Sequence, residues 1–267
     1  MHGRASSHRR GPGGGARSAR GRRPRVRFLP AGDCALVVEF GNRIDRALNA
    51  RVLGLAERIE AAGLAGVVET VPTFRSLTVH YDPLLTSGAR LTRALRALTE
   101  VADAATRPAR RWRVPVCYHP SHAPDLVEVA RRSGLAPEEV AELHTSVTYY
   151  VYMLGFLPGY PYMGDVPAAL VLPRRENPRL RVPAGAVGIA TTLSAIYPLE
   201  SPGGWHLIGT TPARIFDLER TPPALFAPGD SIVFTAVTPA EFEAIGADSV
   251  AGRYRLPCEE GARCDPR

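Results

Sequence analysis

The sequence predicts an α+β protein in two units: a small β-β-α-β-β-α sandwich over residues 28–107, then a β-barrel over 108–245. Three observations carry this. Two stretches near the start place apolar residues at helical spacing, and each follows a pair of short β-like runs. From Val147 onward the signal is almost wholly β, with short apolar runs separated by Gly and Pro turns, the pattern of a closed or nearly closed barrel. Between them, Ala104 to Arg111 is polar and contains Pro108, as a boundary between domains would.

The elements follow in order. Val26 to Pro30 and Ala35 to Phe40 are β-like runs joined by Ala31-Gly32-Asp33. Ile44, Leu48, Val52, Leu55 and Ile59 then fall on one helical face, and Gly63 ends that helix as a cap. Val67 to Val71 and Ser76 to Tyr81 are strands, the second pointing Leu77, Val79 and Tyr81 inward; His80 reads as a solvent-facing strand residue. Leu91, Leu95, Leu98 and Val101 mark a second amphipathic helix. Arg113 to Tyr118 opens the next strand. His119-Pro120-Ser121-His122 is a turn, and Pro120 breaks any helix that would align the two histidines, so no metal site is expected. Asp125 to Arg132 and Pro137 to His144 are short helices, the second with Glu138 and Glu139 at its positive end. Strands are expected at 187–190, 205–208, 214–216 and 231–234, and Thr238 caps a short helix. Residues 246–267 read as a polar tail, frayed beyond Arg255.

Charge needs dissecting. The chain has 267 residues and a formal net charge of +7, but nine of its arginines lie in residues 1–27, which hold no acid. The rest carries 24 arginines against 26 acids, so the folded part is close to neutral. The Arg/Gly/Ser-rich start lacks apolar residues and is expected to be disordered, and nucleic acid is not an expected partner. All 33 basic residues are arginine. No apolar run reaches the ~18 residues of a membrane span; the longest, Val147 to Leu157, contains Thr148, three tyrosines and Gly155. Cys34 and Cys117 sit in apolar contexts and read as buried, whereas Cys258 and Cys264 lie in the polar tail. With no export signal in the first residues, a reducing cytoplasm is the default setting.

The stretch from Met153 to Asp217 has the composition of a binding-site wall. Phe156, Pro158, Tyr160 and Tyr162 alternate aromatic rings with Pro and Gly, and Arg174, Arg175, Arg179 and Arg181 fall within eight positions. Guanidinium groups bind oxyanions in a bidentate manner and keep their charge, so Arg174, Arg175 and Arg181 are candidates for a phosphate or carboxylate clamp; pairing with Glu176 or Glu200 is the alternative. Tyr162, Tyr197 and Trp205 either line a pocket or fill the barrel. Gly203, with Gly159, Gly185 and Gly204, would let backbone approach a ligand.

The segments GFLPGYPYMG (155–164), PRRENPRLRVPAGAVGI (173–189) and IYPLESPGGWHLIGTTPARIFD (196–217) resemble the family of the 5-oxoprolinase B subunit and the kinase inhibitor KipI, also described as allophanate hydrolase subunit 1 or the first part of a carboxyltransferase domain. Upstream, Glu142 to Ser146 matches the family's E-L-H-S/T-S segment. The resemblance implies a small α/β domain followed by a cyclophilin-like barrel. It also implies work beside a partner like that enzyme's C subunit, in a complex that opens 5-oxoproline to glutamate with ATP, or inhibition of a histidine kinase as in KipI. Two segments depart from the family's pattern. Ala190 to Ala195 replaces a polar G-G-x-Q-T-G, placing Leu193 and Ser194 there, and His119 to Pro124 replaces a Gly-rich turn. If these loops meet ligand, the barrel could instead serve a larger, more apolar metabolite. His122, His144, Tyr197 and Glu200 would then be the acid/base candidates.

Overall fold

A computed structural model describes residues 26–100 and 109–260. Most of the expected N-terminal tail, the boundary residues 104–108 and Cys264 lie outside the described residues. The chain is α+β. Among the described residues no helix is long and apolar enough to cross a membrane.

The N-terminal unit is a four-stranded antiparallel sheet, ordered β1 (Arg27–Pro30), β2 (Ala35–Glu39), β4 (Ser76–Tyr81), β3 (Val67–Pro72). Helices α1 (Arg46–Ala62) and α2 (Gly88–Glu100) cover it. The Asp45 side chain accepts the Leu48 N–H at 3.0 Å and so sets where α1 begins. Ile44, expected on the buried face, therefore falls before the first turn and is exposed. Leu48, Val52, Leu55 and Ile59 all sink onto Leu36, Val38, Leu77 and Val79. Each such burial contributes about 1.5–3 kcal/mol. Gly63 closes α1 at φ 52°, a left-handed turn that suits glycine.

The larger unit is an eight-stranded sheet ordered β12 (His206–Thr210), β9 (Ala186–Ala190), β10 (Leu193–Ile196), β7 (Pro161–Gly164), β6 (Thr148–Leu154), β13 (Ser231–Ala236), β5 (Arg110–Val116), β14 (Cys258–Glu260). Only β13 and β5 run parallel among its described pairs. A separate pair joins β8 (Arg179–Val182) to β11 (Ser201–Gly203). No continuous ladder closes the large sheet among the described residues; one antiparallel bridge, Cys117 to Thr210, ties the end of β5 to β12. Helices α3 (Leu126–Ser133) and α4 (Pro137–Thr145) pack Leu126, Val129 and Val140 into its core with Tyr149, Ile189, Ile208 and Phe234.

Four local expectations change. Residues 214–216 form no strand; one bridge joins Phe216 to Ala224, and Pro212, Pro222 and Pro223 deprive this region of ladder donors. The helix begun at Thr238 extends to Val250 as α5 (Pro239–Val250), where Thr238 and Glu241 form a capping box. Residues 258–260, expected to fray, pair with β5 as β14, and Arg113 bonds Glu259 at 2.9 and 3.1 Å. Cys117 is buried, but Cys34, in the turn before β2, is exposed.

The two units meet at Asn49, fully buried in α1. Its Nδ2 donates to the carbonyls of Thr73 (2.9 Å), Phe74 (3.3 Å) and Tyr152 (3.1 Å), and its Oδ1 accepts from the Tyr150 hydroxyl at 3.0 Å. Arg46 adds an ion pair to Asp165 and stacks over the Tyr150 ring. Phe74, between β3 and β4, reaches across to Tyr152 and Tyr162.

Candidate functional site

Strand β7 starts just after Tyr160 and carries Tyr162; Tyr197 follows β10, and Trp205 precedes β12. Because β10 pairs with both β7 and β9, and β9 with β12, these four rings converge from the ends of three strands. Tyr160 lies edge-on to Tyr197 at 5.1 Å and to Trp205 at 6.2 Å, and Tyr162 meets Trp205 at 6.0 Å. Tyr160, Tyr197 and Trp205 are buried; Tyr162 is half-buried, and half-buried Leu193 packs against the group. A side chain at Gly203 would collide with the Tyr197 hydroxyl, so glycine there permits close approach to protein rather than to a ligand. Burial pushes the phenols of both Tyr160 and Tyr197 upward in pKa, Tyr160 strongly, so both are neutral. The charge of Arg174 counteracts that rise at Tyr160, Tyr162 and Tyr197.

Phe156 and Pro158 sit exposed in the turn between β6 and β7. Phe156 takes φ 69°, a left-handed backbone that costs a bulky residue about 1–3 kcal/mol. Hydrogen bonds from Gly155 N–H to Tyr160 O and from Tyr160 N–H to Leu157 O hold that turn.

The arginine cluster divides. Arg175 and Arg179 converge on Asp125, a buried carboxylate at the start of α3: Arg175 Nη1 at 2.9 Å, Arg179 Nη1 and Nη2 at 2.8 and 2.7 Å. The Leu207 N–H also donates to it, at 2.7 Å. Arg181 is exposed and pairs with Glu200 at 2.9 and 3.0 Å. An oxyanion clamp of Arg174, Arg175 and Arg181 is therefore not assembled: two of the three already hold carboxylates. Arg174 makes no hydrogen bond or ion pair with the described residues.

Nor do the four acid/base candidates meet. His144 is fully buried in α4, stacked on Phe234 at 4.5 Å, with Tyr118 Oη 2.7 Å from Nδ1 and Ser194 Oγ 3.2 Å from Nε2. Ser194 Oγ must donate to the Gly188 carbonyl at 3.3 Å, so it accepts from Nε2–H; Nδ1 is then the acceptor and Tyr118 the donor. That relay satisfies every member. Burial pushes His144 down to about 3, so it is neutral and sealed, a core residue and not a solvent-facing base. Ser194, read as a ligand contact, is likewise a buried link in this relay. His122 packs its ring on Phe242 of α5 at 4.2 Å, and Glu200 is engaged by Arg181. Tyr197 belongs to the aromatic cluster.

The sequence signature of the family described as "Carboxyltransferase domain, subdomain C and D" matches residues 26–226. The chain belongs to this family. Two relatives, each named as the B subunit of 5-oxoprolinase, align with this carboxyltransferase-domain chain. That of Bacillus subtilis (strain 168) is 37% identical over 237 residues, covering 84% of the chain and 98% of the relative. That of Escherichia coli O157:H7 is 40% identical over 210 residues, covering 79% and 95%. Among solved structures, TTHA0988 superposes with a TM-score of 0.70 at 40% identity over 77% of this chain. The carboxyltransferase-domain chain spans 40% of that longer protein. The family resemblance read from residues 155–164, 173–189 and 196–217 thus holds.

Sequence reading missed Asp125, Asn49 and Phe74. Asp125 stands where a helix would start, which suggests only an N-cap, yet it makes no cap bond and takes two arginines 50 and 54 positions away. No local signal announces such a tie. Asn49 inside an apolar helical face was the available hint, since a buried amide needs partners.

Proposed function

We propose that this chain is the B-type component of an ATP-dependent amidase complex that opens the lactam of 5-oxoproline, completed by a carboxyltransferase-domain partner of the C type. The observation carrying this reading is the near end-to-end match to proteins named as 5-oxoprolinase B subunits, 98% of one relative's length. The geometry supports a shared site. Exposed Phe156 and half-buried Tyr162 present aromatic surface and Arg174 is uncommitted to any carboxylate among the described residues, while the chain's own acid/base candidates are buried, paired or apart. This arrangement suits a catalytic group supplied by the partner. That TTHA0988 carries this unit within a longer polypeptide fits such an arrangement. The use of ATP is assigned to the complex, and the small-molecule substrate to the joint with the partner. The reading of the larger unit as a cyclophilin-like barrel is part of this proposal, supported by the Cys117–Thr210 bridge between strands distant in the sheet order.

The more-apolar-metabolite reading rests on residues 190–195 and 119–124. Ala190, Ser194 and Ala195 are buried core residues, whereas half-buried Leu193 packs against the aromatic cluster and is the residue that still favours it. The test is co-purification with homologues of the enzyme's other two components, the C and A subunits, followed by assay of ATP-dependent glutamate release from 5-oxoproline. Turnover only with all three components present is the expected result. Failure to form a complex, or a complete complex without ATP turnover on this substrate, would overturn the assignment.

A further inference from the structure

Loop 173–178 and the last turn of α3 enclose a cleft of about 480 Å³. Four arginines line it, Arg131 and Arg132 from α3 and Arg174 and Arg175 from the loop, against two glutamates, Glu128 and Glu176. Arg131 is engaged by Glu128 at 2.9 and 2.8 Å, and Arg175 by Asp125. Arg132 and Arg174 make no hydrogen bond or ion pair with the described residues, so two guanidinium groups remain for a guest. The walls are held in place: His206 Nε2 donates to Pro173 O at 3.0 Å and the Arg175 N–H to Gly204 O at 2.8 Å.

His206 also lines the cleft, yet it is only 1% exposed. Since Nε2 carries the proton given to Pro173, Nδ1 is a bare acceptor, and it is buried without a partner. A buried polar atom left so costs about 1–3 kcal/mol. A guest suited to these walls brings oxygens for guanidinium groups and a hydroxyl donor for the imidazole. Monohydrogen phosphate and phosphate monoesters near their second pKa offer both, whereas an ionised carboxylate offers acceptors only.

We propose that this cleft is a binding site for a phosphate-class anion, held by Arg132 and Arg174 with His206 as the hydroxyl acceptor. The inference goes beyond the amidase reading and needs only this chain, so either can fail without the other. The full chain is titrated with sodium phosphate, sodium acetate and AMP at matched ionic strength, following thermal unfolding. Phosphate raises Tm saturably and acetate does not. In the exposed double substitution Arg132→Gln/Arg174→Gln phosphate binds at least tenfold more weakly, while Arg90→Gln/Arg93→Gln on α2, with the same charge change, binds as the native chain does. Tighter binding of AMP than of phosphate identifies a nucleotide as the source, and the reverse identifies free phosphate; both support the site. Absence of a saturable phosphate response, an equal response to acetate, or unchanged binding in the cleft variant with its native Tm retained overturns it.

Discussion

Asp125 joins three separated segments through one carboxylate. Two arginines of the 173–181 stretch and the backbone of β12 all donate to it, and it is nearly inaccessible to water. A buried charge is tolerated when every lone pair is met, and removing one partner leaves the others uncompensated. Asp125→Asn should therefore lower stability by about 3–5 kcal/mol, read by urea unfolding. The exposed Arg181–Glu200 pair has the same chemistry in high dielectric, and Glu200→Gln should be nearly silent in the same experiment. Equal losses from the two substitutions would contradict this ranking.

At the scale of elements, the Tyr118–His144–Ser194–Gly188 relay binds α4 to β9, β10 and the end of β5. Each group is buried and each hydrogen has one place to go, so the relay fixes how the helix sits on the sheet. It also predicts an acid limb. Burial holds the folded-state pKa of His144 at about 3, below its ordinary 6.5, so between those values the unfolded chain binds a proton that the folded chain does not. The stabilisation is complete above pH 6.5 and declines as pH falls toward 3, by up to about 1.4 kcal/mol per pH unit. Unfolding free energies of the native chain and of His144→Leu across that range should show the steeper slope in the native chain. Parallel slopes would mean that His144 titrates normally.

For the whole molecule, the decisive contact is the meeting of α1 with the β6–β7 region. Asn49 spans both units, and Phe74 from the first lies against Tyr162 of the second, so the aromatic cluster borrows a wall from the N-terminal unit. Asn49→Ala would strand the carbonyls of Thr73, Phe74 and Tyr152 and the Tyr150 hydroxyl. A loss of about 2–4 kcal/mol is expected, with separation of calorimetric unfolding into two transitions where the native chain shows one. A single transition at unchanged temperature would show that Asn49 does not couple the units.

The chain alone determined its periodicities. Leu48, Val52, Leu55 and Ile59 repeat at helical spacing, Leu77, Val79 and Tyr81 alternate, and burial follows both patterns because they depend only on which face of an element is apolar. The segments at 155–164, 173–189 and 196–217 likewise identified the family. What tertiary structure decided was pairing at long range. Four arginines close in sequence part ways, two to Asp125, one to Glu200 and one uncommitted, because a guanidinium's role depends on which carboxylate the fold brings within reach. His144 looked like a base and is a sealed core residue for the same reason. A side chain's ionisation and access to solvent are set by what surrounds it in space, and nothing in its sequence neighbours records that.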